Sequence, residues 1–124
     1  MPHLTSTTAR TFDVHGVRFT SYASSASGAR EVCAWRADFP AHTPGHHHRP
    51  SHEEVLLVLS GSLEVEVDDE RFTAVPGDAV IVPAGARFRV STGGEPAQAW
   101  VTTSVGMRAT VESSGEVLTP PWAA

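Results

Sequence analysis

The sequence predicts an all-β chain that closes on itself as a barrel or a two-sheet jelly roll. Three observations lead there. No stretch sustains apolar residues at helical spacing for three turns, and Gly or Pro interrupts the chain roughly every eight to fifteen residues. The segments between these breaks alternate apolar with polar positions. About ten short strands in one flat sheet would leave long open edges, and closure removes them.

The first strands are expected at Thr11 to His15 and Val17 to Tyr22, divided by Gly16, with a Ser/Ala/Gly turn from Ala23 to Ala29. In Glu31 to Phe39 the side chains of Cys33, Trp35, Ala37 and Phe39 share one face, and Pro40 ends the run. Pro44-Gly45 turns the chain into a histidine-rich segment, followed by the apolar strand Glu54 to Leu59 and the Ser60-Gly61 turn. Leu63, Val65 and Val67 alternate with Glu64 and Glu66, the pattern of a strand with one buried and one wet face. Asp68-Asp69-Glu70 makes a hairpin turn before Arg71 to Ala74. Strands are then expected at Ala79 to Val82, Ala86 to Ser91, Gln98 to Val105 and, more weakly patterned, Met107 to Glu112. The end of the chain, Leu118 to Ala124, is expected to lie along the surface, with Trp122 covering the barrel bottom or touching a second chain.

With 124 residues there is room for one domain: a core over about residues 28–112, amino-terminal strands over 11–22 and a tail over 113–124. All nine basic residues are arginine, so chemistry that needs a lysine amine is excluded, including Schiff bases and phosphate-binding Walker loops. A single cysteine, Cys33, leaves no intramolecular disulfide, iron–sulfur cluster or multi-cysteine zinc site. Net charge −5 with scattered arginines argues against a nucleic-acid partner. No apolar segment is long enough for a membrane span, and nothing near Met1 resembles a signal peptide, so the expected location is cytoplasmic.

Two stretches carry a resemblance. One is Pro44-Gly45-His46-His47-His48-Arg49-Pro50-Ser51-His52-Glu53-Glu54, running on through Val55-Leu56-Leu57-Val58-Leu59 to Ser60-Gly61; the other is Gly77-Asp78-Ala79-Val80-Ile81-Val82-Pro83-Ala84-Gly85. Together they resemble the two motifs of small single-domain cupins, with Glu54 and Gly61 in place in the first and Gly-x5-Pro-x-Gly complete in the second. The resemblance implies a cupin-type jelly-roll β-barrel and a homodimer, the strands at Thr11 to Tyr22 offering a sheet edge to the second copy. It also implies a metal held by two His and a Glu of the first motif and a His of the second. Here the second-motif position is Phe88, and the second His position of the first motif falls on Pro50 or Arg49.

Residues two apart on an extended chain point the same way, which would turn His46, His48, His52 and Glu54 into the barrel; Pro50 can change that parity for everything before it. These four are the candidate metal ligands, for Zn, Fe, Ni, Mn or Cu. His52, Glu54 and His48 are the candidate catalytic groups, with a metal or without one, in which case a histidine transfers a proton and Glu54 supports it. Trp35, Phe88 and Trp100 are the candidate pocket walls, while His47, Arg87 and Arg89 are expected at the surface. The expected partner is a small organic molecule. The expected function is a small-molecule enzyme, either an isomerase, dehydratase, cyclase or lyase or a metal-dependent oxygenase. The alternative is a non-catalytic binding module, a sensor or storage protein.

Overall fold

The computed structural model describes residues 2–124. Among the described residues twelve strands form two antiparallel six-stranded sheets. In chain order they are β1 (Arg10–Val14), β2 (Val17–Ala23), β3 (Val32–Phe39), β4 (His48–Pro50), β5 (Glu54–Ser60), β6 (Leu63–Val67), β7 (Glu70–Ala74), β8 (Ala79–Val82), β9 (Phe88–Ser91), β10 (Ala97–Ser104), β11 (Ala109–Val111) and β12 (Val117–Leu118). The first sheet runs β1-β2-β3-β10-β5-β8 and the second β12-β11-β4-β9-β6-β7.

The count exceeds the expected ten because β4 and β12 are strands that the sequence does not announce. β4 is a His-Arg-Pro tripeptide with no apolar alternation, and it becomes a strand only because β9 and β11 flank it with the pairs His48–Phe88 and Val111–His48. Pro50 ends it, where a missing N–H is tolerated. The Pro50 carbonyl still accepts the Gly85 N–H at 2.7 Å, tying the two motif loops together.

Alternation then sorts the side chains. In the first sheet the inward rows include Val82–Glu54 and Val80–Leu56–Val101–Trp35. In the second sheet one inward row runs Val67–Phe88–His48–Val111. Leu63, Val65, Val58, Ala99 and Met107 fill the space between the sheets as one core.

The carboxyl-terminal tail does not lie along the surface. A 3₁₀ turn at Pro121–Ala123 enters the inner side of β1 to β3, where the Trp122 ring stacks on Phe19 at 3.6 Å and meets the edge of Trp35 at 6.4 Å. Backbone carbonyls anchor it: Ser21 Oγ donates to Trp122 O at 2.7 Å and Cys33 Sγ to Ala123 O at 3.4 Å. The apolar ring is drawn in because it buries its surface against Phe19 and Trp35. Trp122→Ala is therefore expected to cost about 3 kcal/mol in urea unfolding, the scale of an aromatic deletion; a change within error would mean the tail is not part of the cooperative unit.

Candidate functional site

The chain reaches the site through Gly45, whose φ of 70° lets the backbone press against the Val90 carbonyl. After β4 it crosses from the second sheet to the first over residues 51–53, so the extended-chain parity from His46 to Glu54 does not apply. His48 and Glu54 both face inward, but from opposite sheets. They lie at the same end of the barrel, where β4 passes to β5, β8 to β9 and β10 to β11.

Glu54 is 5% exposed, beside the apolar side chain of Val82, and its carboxylate makes no side-chain hydrogen bond among the described residues. Burial pushes its carboxyl up from 4.5 to about 7. The group is not sealed: among the described residues the side-chain polar atom that is both fully enclosed and partnerless is Trp122 Nε1. Next to Glu54, the Glu53 carbonyl is fixed by the Thr103 hydroxyl, which donates to it at 2.8 Å from β10.

His48 is half-buried, and desolvation lowers its pKa below the usual histidine range. Its Nδ1 lies 3.1 Å from the His46 carbonyl. A carbonyl can only accept, so Nδ1 carries the hydrogen and Nε2 keeps a free lone pair. The Phe88 ring packs edge-on against the imidazole at 5.2 Å. Phe88, 3% exposed, is thus an apolar wall at the position where the motif would carry a ligand.

The other sequence candidates lie elsewhere. His46 is exposed and leans on His15, ring centroids 4.9 Å apart. His52 sits on the crossover, its Nδ1 2.8 Å from Ser51 Oγ, which also accepts the Arg108 N–H. Trp35 is buried against the tail, and Trp100 is on the outside of the first sheet beside Tyr22 at 5.4 Å, because it alternates with inward Val101 and Ala99. Among the described residues no group of three or more His, Cys, Asp or Glu converges as a metal would require. One imidazole and one carboxylate inside the barrel do not fit a resident metal with the usual three protein ligands.

His47 is expected in solvent, yet it serves the outer face of the second sheet. Its Nε2 donates to Glu66 Oε2 at 2.8 Å, and Nδ1 lies 3.6 Å from Glu112 Oε2. Arg89 donates to Glu66 at 2.7 Å and Arg87 clasps Glu112 at 2.6 and 2.9 Å. The His47 hydrogen bond, with Arg71 and Arg89 nearby, holds the Glu66 carboxyl below its usual range. Sequence alternation alone missed this cluster because its members come from β6, β9, the residues just before β4 and β9, and the segment after β11.

The sequence model of the cupin domain matches residues 35–103, more than half of the chain. The chain belongs to the cupin family. No curated protein sequence matches this cupin. Among solved structures, it is similar to the polyketide cyclase RemF from Streptomyces resistomycificus, with TM-score 0.78 and 16% identity over 96% of this chain and 84% of that one. An RmlC-like cupin from Shewanella frigidimarina aligns with TM-score 0.72 and 20% identity over 82% and 87% of the two chains. A variant of salicylate 1,2-dioxygenase from Pseudoaminobacter salicylatoxidans aligns with TM-score 0.70 and 16% identity over 80% of this chain and 32% of that one. Likeness at such identities establishes the jelly-roll fold, which carries a cyclase and a dioxygenase alike. Among the described residues no helix is long and apolar enough to cross a membrane.

Proposed function

We propose that this cupin is a small-molecule enzyme working by proton transfer, of the isomerase, dehydratase, cyclase or lyase kind, with His48 as base and Glu54 as acid. The observation that carries the reading is that a carboxyl buried and partnerless among the described residues and an imidazole whose Nε2 is free both face inward at one barrel end. Near neutral pH the protonated carboxyl and the neutral imidazole are both populated, since burial raises one pKa and lowers the other.

His48 Nε2 takes a proton from a carbon beside a carbonyl, and the electron pair moves onto the carbonyl oxygen. The Glu54 carboxyl gives its proton to that oxygen or to a neighbouring carbon. The substrate has then lost one proton and gained one, His48 is cationic and Glu54 anionic, and exchange with solvent resets them. Phe88 and Val82 provide apolar walls that keep the charges of the intermediate poorly hydrated and the two groups effective.

The test is proton–deuterium exchange in D2O on a panel of enolisable ketones and hydroxyketones, followed by NMR. The protein is expected to wash deuterium into one carbon position of a compound it accepts, with the rate falling about 100-fold or more in His48→Asn. Exchange unaffected by that variant would defeat the assignment, as would a Glu54 carboxyl found by carbon-13 NMR to titrate below 5. Saturable binding of a panel compound with no exchange would instead support a non-catalytic binding module.

A further inference from the structure

We infer that the His48 and Glu54 site takes a carbonyl compound that carries an ammonium group, seated in a groove between β7 and β8; its role as substrate rests on the proton-transfer reading of that site. β7 and β8 are the last strands of their sheets, and among the described residues no strand bridges them. Alternation turns Phe72 to the inner side together with Ala74, yet Ala74 is 1% exposed and Phe72 37%. The sheets therefore part toward the Val67–Glu70 end of the β6–β7 pair. The opening is a groove of about 490 Å³, walled by Val67, Phe72, Val80 and Pro83 and rimmed by Asp68, Asp69 and Glu70. That is room enough for a small organic molecule.

Three observations join the groove to the site and fix what it takes. The inner row that holds His48 ends in it: His48 pairs with Phe88, Phe88 with Val67, and Val67 with Glu70. Neighbouring strands lie about 4.8 Å apart, which puts Glu70 roughly 14 Å along the row from His48, with the apolar Phe88 and Val67 between them. Glu54 faces the same interior from one strand inside the other lip. It pairs with Val82 on β8, and Val80 and Pro83, which bracket Val82, line the groove. Its carboxyl, 5% exposed and without a side-chain partner among the described residues, is a buried polar group that a ligand would satisfy. The charge of the rim is also unanswered. Among the described residues no cationic side chain lines the groove. Arg71 alternates to the outer face, 3.6 Å from Glu66, and Arg87 is clasped by Glu112 and gives Asp68 only its backbone N–H, at 3.0 Å. Three carboxylates above apolar walls attract an organic cation and repel an anion, and the exposed Phe72 ring adds a face on which an ammonium group can rest. The carbonyl end then lies toward His48 and Glu54, and an apolar segment passes Phe88 and Val67.

Three methyl ketones of one chain length, ending in trimethylammonium, tert-butyl or carboxylate, test the inference by NMR titration of the amide signals, with proton–deuterium exchange followed on the same samples. The ammonium ketone is expected to bind about 10-fold tighter than the tert-butyl one, to shift the Val67, Glu70 and Phe72 amides, and to lose its margin in about 0.5 M salt. Glu70→Gln combined with Asp69→Asn is expected to cost the ammonium ketone about 10-fold in affinity and leave the tert-butyl ketone unchanged. Circular dichroism stays the same because both side chains are exposed. Equal affinities for the three ketones overturn the inference. So does an ammonium preference that survives the double variant, or no binding of the ammonium ketone at about 10 mM. Charge-selective binding at these amides without exchange supports the groove assignment and defeats the proton-transfer reading alone. Exchange of all three ketones at one rate supports that reading and overturns the groove assignment.

Discussion

Glu54→Gln is expected to lower exchange turnover about 100- to 10,000-fold while making the protein more stable above pH 7. Loss of turnover follows from removing the acidic proton while keeping the volume and shape of the side chain. The stability gain follows from linkage. An unfolded glutamate titrates near 4.5 and the native carboxyl near 7, so between those values the native state holds a proton that the unfolded chain has released. Stability contributed by the protonated form is complete below pH 4.5 and is lost as pH rises through 7. At 1.36 kcal/mol per pKa unit the loss reaches about 3 kcal/mol. Glutamine never ionises and escapes it. Thermal melts of the two proteins are therefore expected to agree near pH 4 and diverge toward pH 8, with the variant melting higher. His48 acts in the opposite sense: its lowered pKa makes the native state release a proton that the unfolded chain keeps, so its contribution is full above the ordinary histidine value and is lost as pH falls below it toward the lowered native one. A variant with wild-type turnover, or melts that stay parallel across pH, would remove Glu54 from the proposed role.

Gly45→Ala and Gly61→Ala are expected to destabilise the fold by about 3–5 kcal/mol each, enough to unfold a domain of ordinary stability. Both glycines hold left-handed backbone, φ 70° and 68°. A β-carbon at Gly45 would collide with the Val90 carbonyl, and one at Gly61 with the Pro96 carbonyl and Ala97. Unfavourable φ costs about 1–2 kcal/mol, and overpacking against backbone that cannot move aside supplies the rest. Gly77 and Gly85 make the contrast: their φ values of 92° and 79° are also left-handed, but nothing lies within 4 Å of an added β-carbon. Alanine there is expected to cost only about 1–2 kcal/mol. Urea midpoints for the four variants check the ordering; equal losses at all four would mean that backbone conformation alone matters and the collisions are relieved by small shifts.

Much of this was legible in the chain. Alternation in Leu63 to Val67 and Gln98 to Val105, the Gly and Pro breaks and the spacing from Glu54 to Gly61 sufficed for the all-β class and the cupin resemblance, because strand periodicity and turn chemistry are local properties. The inward direction of Glu54 followed from the apolar strand it opens. The histidine segment was not legible in this way. His46, His48, His52 and Glu54 look equivalent on an extended chain, but a crossover between sheets separates them, and a crossover depends on what β4 pairs with.

The sequence by itself determined that the chain must close strands around an apolar interior, with a carboxylate at the start of one of them and a phenylalanine where a metal ligand could have stood. Only the tertiary structure decided which histidine faces inward at that carboxylate's end of the barrel, that His47 belongs to an outer-face charge cluster, that Trp100 lies outside and that Trp122 packs half-buried on Phe19. The physical reason is that alternation fixes the two faces of each strand, but which face is inner depends on the sheet it joins and on what packs across from it. β4 and the tail, with the weakest patterns of their own, take their places from neighbours that are distant in sequence.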